Sequence, residues 1–286
     1  MSITGTTQIL GIIGDPVTHS LSPVMHNAAL AELGADYVYV PFPVLAEGLE
    51  AAIAGFAATG VRGFSITIPH KQAILPLLAT VTDEAQAVGA VNTVWRTEQG
   101  WAGTNTDVAG FVAPLKASKS WTGSTALVLG NGGAARAVVA GCAQLGFKSV
   151  QVVGRRSEAL AVFQQGWVNS PLQTPLTVHP WEALPTLLPT ADLVVNTTPL
   201  GMHTTAGQTP LTAEDLALAP SHALVYDLIY TPRPTRLLTL ADQRGLKTLD
   251  GLEMLVQQGA AALEIWLNCP VPVATMRQAL VDWLAR

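Results

Sequence analysis

The residues best suited to chemistry in this chain are few, and they sit in short polar clusters that follow apolar runs. Ser20 and Ser22 lie in GDPVTHSLSP, Thr67 and Lys71 in SITIPHK, Asn92 in GAVNTV, and Asn105 and Asp107 in GTNTD. Ligands of open α/β sheets bind outside the carboxyl ends of the strands. Hydroxyls, an amide, an ammonium and a carboxylate gathered there suit a small polyhydroxylated acid. Each residue also has a plain structural reading. Ser22 before Pro23 reads as a helix N-cap, and Thr67 has strand propensity. Asn92 suits a turn, and Asp107 suits the cap of the helix VAGFVAPL. The set, rather than any one member, points to a ligand.

A second group suits a nucleotide. In LVLGNGGAARA, Gly130-x-Gly132-x-x-Ala135 follows an apolar strand and opens an Ala/Val-rich helix, the context that gives a glycine fingerprint meaning. Gly130 allows the tight turn, Gly132 a close approach of backbone to pyrophosphate, and Ala135 close packing of helix on strand. Free N–H groups and the helix dipole favour an anion there. About 20 residues on, an NAD site carries an acid for the ribose 2′-hydroxyl. This chain instead reads VVGRRS, with Arg155 and Arg156 at the strand end. A guanidinium fork suits a 2′-phosphate. With only 15 Lys and Arg in the chain, a solvated turn is the weaker reading, and the pair predicts NADP over NAD.

The elements that must position these residues alternate between strand-like and helix-like runs, which predicts an α/β fold with mainly parallel sheets. Strands are expected at 8–14, 37–42, 63–68, 90–96 and 101–105, the last two as an antiparallel edge. Helices are expected after Ser22, over 47–58 and over 83–88. A second unit starts near Trp121 with strands at 125–130, 149–154, 193–198, 223–228 and 247–249, a βαβ series of Rossmann type. Its helices follow Gly133, Ser157 and Pro234. The tail from Gly251 is helical in pattern and suits a return to the first domain.

With 286 residues, 49% hydrophobic and 12% charged, the chain is long enough for two domains with full cores. A net charge of −5 without a basic run disfavours nucleic acid. No stretch reads as a membrane span or a signal peptide. Cys142 and Cys269 read as reduced, buried thiols, and the expected location is cytoplasmic. The six histidines show no metal-binding spacing, so no metal is expected.

The pieces HSLSP, SITIPHK, GAVNT, GTNTD, GNGGAARA, NTTPLGM, YDLIYTPRPT and DGLEMLVQQGA occur together and in order, and by them the chain resembles the shikimate dehydrogenases. The resemblance implies reversible NADPH-dependent reduction of 3-dehydroshikimate to shikimate in the biosynthesis of aromatic amino acids. It implies a substrate domain, 1–107 with 251–286, a Rossmann NADP-binding domain over 121–250, a linker helix over 108–120 and a cleft between the domains. Carried over by position, Ser20 and Ser22 bind the substrate carboxylate, with Tyr230 nearby. Thr67, Asn92, Asp107 and Gln258 hold ring hydroxyls, and Lys71 with Asp107 forms the catalytic pair. Gly130, Asn131, Gly132, Gly133, Ala134, Ala135 and Arg136 form the phosphate loop, and Arg155 meets the 2′-phosphate. Leu228 and Gly251 place backbone near the nicotinamide.

When an alcohol gives up hydride its hydroxyl proton must also leave, to a group within hydrogen-bond reach. Lysine, with an ordinary pKa of about 10.4, suits the acid of the reducing direction, with Asp107 to orient it. The family often reads Asn-Arg-Thr where this chain has Gly154-Arg155-Arg156, with a further basic residue where Ala159 stands. Arg156 is expected to supply the missing contact. The alternatives are a quinate/shikimate dehydrogenase using NAD, and a non-catalytic NADP-binding regulator. A small-molecule substrate and a monomer or homodimer complete the expectation.

Overall fold

Branched and aromatic runs form the strands and Ala-rich stretches the helices in the computed structural model, which describes residues 3–168, 170, 172 and 175–286. Two units separate, Met1–Gly110 with Leu255–Arg286, and Phe111–Met254. The elements up to residue 116 are β1 (Gln8–Gly14), α1 (Ser22–Glu32), β2 (Tyr37–Pro43), α2 (Leu49–Thr59), β3 (Gly63–Ile66), α3 (His70–Ala73), β4 (Thr80–Val81), α4 (Asp83–Val88), β5 (Thr93–Thr97), β6 (Gly100–Thr104) and α5 (Asp107–Lys116). Next come β7 (Thr125–Leu129), α6 (Gly133–Gln144), β8 (Ser149–Gly154), α7 (Ser157–Gln165), β9 (Leu176–Pro180), α8 (Leu184–Leu187), β10 (Leu193–Asn196), α9 (Ala213–Ala217), β11 (Leu224–Asp227), α10 (Arg236–Gln243) and β12 (Lys247–Leu249). The helices α11 (Leu252–Leu267) and α12 (Val273–Leu284) end the chain.

The first sheet has the order β2-β1-β3-β5-β6-β4. Strands β1, β2 and β3 run parallel, and β5 is antiparallel to both β3 and β6. The expected antiparallel hairpin is therefore present but does not form the edge. The two-residue β4 pairs parallel to β6 outside it, too short to leave a period in the sequence. Ile13, Phe64, Ile66, Ile74, Val94 and Trp101 lie in the core on one side. At the other edge, Asn27 of α1 donates to the Tyr39 carbonyl at 2.8 Å and accepts from the Tyr39 amide at 2.9 Å. This side chain satisfies the outer backbone of an edge strand that would otherwise be open to pairing.

Two expectations need correcting. Ser22 is not the N-cap of α1. Leu21 holds that position without a side-chain cap, because the serine two residues earlier provides the acceptor: the Ser22 amide donates to Ser20 Oγ at 3.3 Å. Cys142 is buried as expected, but Cys269 is exposed, since it follows the last turn of α11 rather than facing a core.

The second sheet is entirely parallel, in the order β12-β11-β10-β7-β8-β9. That is the doubly wound arrangement, with its reversal between β7 and β10. Strand β9 has no counterpart in the sequence reading. LTVHP is short, half-exposed and ends on Pro180, which only an edge strand tolerates.

Asn196 and Asp227, at the carboxyl ends of β10 and β11, are both 0% exposed. Asp227 Oδ1 accepts from Asn196 Nδ2 at 2.9 Å and the Ile229 amide at 3.2 Å, and Oδ2 from Thr235 Oγ1 at 2.7 Å. Burial pushes the carboxyl up to about 6 against these donors, and the charge of Asp250 adds to the rise. The protonated acid keeps Oδ1 for its two obligate donors and turns its proton toward Thr235, whose hydroxyl can accept.

A folded pKa above the ordinary 3.8 means that the folded state binds the extra proton, so stability falls as pH rises from about 4 through about 6. Asp227→Asn reproduces the protonated pattern and removes this slope. Relative to the native chain, D227N is expected to gain up to roughly 1.4 kcal/mol per pH unit across that window, measured by denaturant unfolding. Parallel stability profiles for the two proteins would contradict the assignment.

Candidate active site

In the first unit, four of the expected site residues form one hydrogen-bonded set. The single turn of α3 after β3 presents Lys71, whose carbonyl accepts from the Val91 amide at 2.8 Å. Asp107 opens α5, and its amide donates to Asn105 Oδ1 at 3.0 Å. Asn105 is anchored in turn to the Ala90 carbonyl. Lys71 Nζ lies 2.5 Å from Asp107 Oδ2. Asn92, just before β5, donates from Nδ2 to Asp107 Oδ1 at 2.8 Å and to Gln258 Oε1 at 3.4 Å. Gln258 reaches this place on α11, with Nε2 donating to the Leu255 carbonyl. The helical tail thus contributes to the first unit.

The orientation of the Asn92 amide is fixed. Its Oδ1 accepts from the Thr106 amide at 2.7 Å and from Thr93 Oγ1 at 3.0 Å, so Nδ2 must face Asp107. Both carboxylate oxygens of Asp107 are then engaged, one by a neutral amide and one by an ammonium. Side-chain exposures of 20% for Lys71 and 9% for Asp107 leave the ammonium as the more accessible end of the pair. Charge-assisted bonds in such a half-buried place are the strong ones. Thr93 and Thr106 are missing from the sequence-based site. The signal for them is the repeated Asn-Thr dipeptide, Asn92-Thr93 and Asn105-Thr106, whose hydroxyls meet at 3.1 Å.

Ser20 and Ser22 are joined by the bond described above, before α1. The Ser22 carbonyl lies 2.8 Å from His26 Nδ1, and burial lowers that histidine to about 4, so it is neutral and structural. Thr67 sits one residue past β3, with its amide on the Ile13 carbonyl at 3.0 Å. Its methyl fills the space beside Gly14, where a side chain would lie 2.3 Å away. His70 is buried against the Val44 carbonyl.

In the second unit the glycine turn leaves β7 as expected. Gly130 has φ +103°, which favours glycine, and a side chain there would meet Thr197 and Thr198 at 2.9 and 3.0 Å. Gly132 is the N-cap of α6, with no side-chain cap and no acid in the first turn. Around Gly132 and Gly133 there is open space, while Ala135 is fully buried. Asn131 Oδ1 lies 3.1 Å from where a side chain on Gly154 would begin, and Ala134 follows on the first turn of α6. Arg155 and Arg156 are exposed after β8, and Arg156 is the N-cap position of α7. A free helix N-terminus, open glycines and two exposed guanidiniums fit an anionic dinucleotide with a 2′-phosphate.

Arg136 stands apart from that group. It is buried, with its guanidinium 5.3 Å from the Phe163 ring centre, so it packs inside the unit. Leu228 and Gly251 are brought together: a side chain on Gly251 would lie 2.0 Å from the Leu228 carbonyl oxygen. Tyr230, on the same loop, is half-buried, and burial raises its phenol. Among the described residues there is no cluster of three His, Cys, Asp or Glu able to hold a metal, and no helix long and apolar enough to cross a membrane.

Residues 12–94 match the shikimate dehydrogenase substrate binding domain, and residues 251–281 the shikimate 5′-dehydrogenase C-terminal domain. The shikimate dehydrogenase (NADP(+)) of Trichormus variabilis is 58% identical over 281 residues, covering 97% of each chain. A shikimate dehydrogenase crystallised with NADP+ superposes with a TM-score of 0.91 at 34% identity, covering 100% of this chain and 98% of that one. The shikimate 5-dehydrogenase of Listeria monocytogenes, solved with shikimate and NAD, gives a TM-score of 0.88 at 35% identity, with 98% of both chains covered. At these identities and over this length, the chain belongs to the shikimate dehydrogenase family.

Proposed function

We propose that this protein catalyses the reversible, NADPH-dependent reduction of 3-dehydroshikimate to shikimate. The observation that carries the reading is the Lys71–Asp107 pair, held at 2.5 Å and locked by Asn92. A binding module without turnover has no use for a held proton donor, so the regulator reading is the weaker one. The dinucleotide supplies the hydride and is held by Gly130 to Ala135 with Arg155 and Arg156.

The first unit's residues account for the rest of the chemistry. Ser20 and Ser22 bind the substrate carboxylate. Thr67, Asn92, Asp107 and Gln258 take the ring hydroxyls. The Lys71 ammonium faces the carbonyl oxygen being reduced and donates to it as charge develops. Asp107 does not act as the proton carrier, because both of its oxygens already accept hydrogen bonds. It holds Lys71 and the substrate in register.

The direct test is oxidation of shikimate with NADP+, followed by nicotinamide absorbance. Turnover is expected, and Lys71→Ala should lower kcat by about 10²–10⁴-fold, with a smaller change in the KM for shikimate. A K71A enzyme with native turnover would contradict the assignment.

Cofactor choice rests on Arg155 and Arg156, with no acid at the end of β8. Each Arg→Ala change should raise the KM for NADP far more than that for NAD, and equal effects on both would overturn the arginine account. Faster turnover of quinate with NAD than of shikimate with NADP would favour the quinate/shikimate alternative.

A further inference from the structure

We propose that Asp227 is a positioning residue for the nicotinamide half of the dinucleotide, acting through the loops that leave β10 and β11; this rests on the NADP reading above. A sheet of this order is built of two mononucleotide-binding halves. Strands β7, β8 and β9 form one half, and it carries the glycine turn and the arginine pair. Strands β10, β11 and β12 form the other, and its strand ends carry the buried Asn196–Asp227 pair.

Asp227 is 0% exposed, so it acts only through its neighbours. Its Oδ1 takes Asn196 Nδ2, which also reaches the Leu200 carbonyl. The Asn196 amide is thereby prevented from flipping. Its Oδ1 accepts from the Thr198 amide at 3.0 Å and from Thr198 Oγ1 at 2.7 Å. Thr197 Oγ1 donates to the Leu129 carbonyl at 2.7 Å, and both threonines pack on Gly130. One carboxyl oxygen therefore sets how the loop after β10 meets the glycine turn.

The same Oδ1 accepts the Ile229 amide, and the Ile229 carbonyl accepts the Gly251 amide at 3.1 Å. Oδ2 holds Thr235, at the end of the loop that carries Tyr230. Pro232 and Pro234 remove backbone donors from this segment, so a side chain must fix it. The charged groups near this hub are Asp250, itself paired with Arg233 at 2.6 Å, and Glu253; burial raises the Tyr226 phenol, and these two charges add to the rise.

The test compares two ligands by calorimetry on the full chain. Adenosine 2′,5′-bisphosphate meets only the half with the arginines, whereas NADPH spans both. In Asp227→Ala, three buried donors lose their acceptor: Asn196 Nδ2, the Ile229 amide and the Thr235 hydroxyl. NADPH affinity is expected to fall at least about tenfold while affinity for the bisphosphate stays within about twofold of native. Asp227→Asn keeps the acceptor and should restore most of the NADPH affinity. Should D227A fail to fold, Thr198→Val decides, since it removes the hydroxyl that Asn196 holds and that accepts the Leu200 amide, and it should weaken NADPH selectively. Equal losses for both ligands, native affinity for both, or a D227N as impaired as D227A would overturn the role of Asp227. A native chain that does not bind the bisphosphate would instead overturn the NADP reading, and this inference with it.

Discussion

One constraint governs the first unit's site: the Asn92 amide has a single permitted orientation. The Thr106 amide and the Thr93 hydroxyl occupy its oxygen, so its nitrogen must face the carboxylate of Asp107. Oδ1 of the carboxylate is thereby engaged, and Lys71 takes Oδ2. A half-buried ammonium is costly without a partner. Here the partner is held by the Asn92 side chain, itself fixed by the Thr106 amide, which makes the direction of the proton donor a property of the fold rather than of a mobile side chain. The surrounding structure serves this arrangement. The β5–β6 hairpin brings the two Asn-Thr dipeptides side by side, and α11 sets Gln258 against Asn92.

The second unit solves a different problem by related means. Its glycine turn and free helix N-terminus present backbone N–H groups to an anion, which needs open space rather than side chains. The neighbouring strand ends contribute loops with few backbone donors, and a buried carboxyl fixes them. That group is tolerated at a cost in stability: burial raises its pKa to about 6, although two obligate donors and a hydroxyl point at it. A hydrophobic residue of similar shape would remove the cost and free the loops. The retained charge therefore has its explanation in geometry.

Much of this was legible in the sequence for identifiable reasons. Continuous apolar runs and the glycine fingerprint reveal β1, β3, β7, β8 and the turn at Gly130, because those strands are buried on both faces and the turn requires glycine. Lys71, Asn92 and Asp107 stand out because polar groups at the ends of apolar strands need a purpose. Thr93 and Thr106 do not stand out, since threonine is at home in and beside strands and their function lies in contacts across the hairpin. Ser22 misleads as a cap because Ser20 supplies its acceptor. The short β4 and β9 leave no period to read. Asp227 looks like an ordinary strand-end acid until its complete burial is seen.

The central claim is that Lys71 and Asp107 act as one unit. A double-mutant cycle in kcat for shikimate oxidation, with Lys71→Ala, Asp107→Ala and the double variant, measures this directly. If they are one device, removing either disables the other, and the double variant should be about as slow as the slower single variant. Losses that multiply would show two independent contributions and contradict the account.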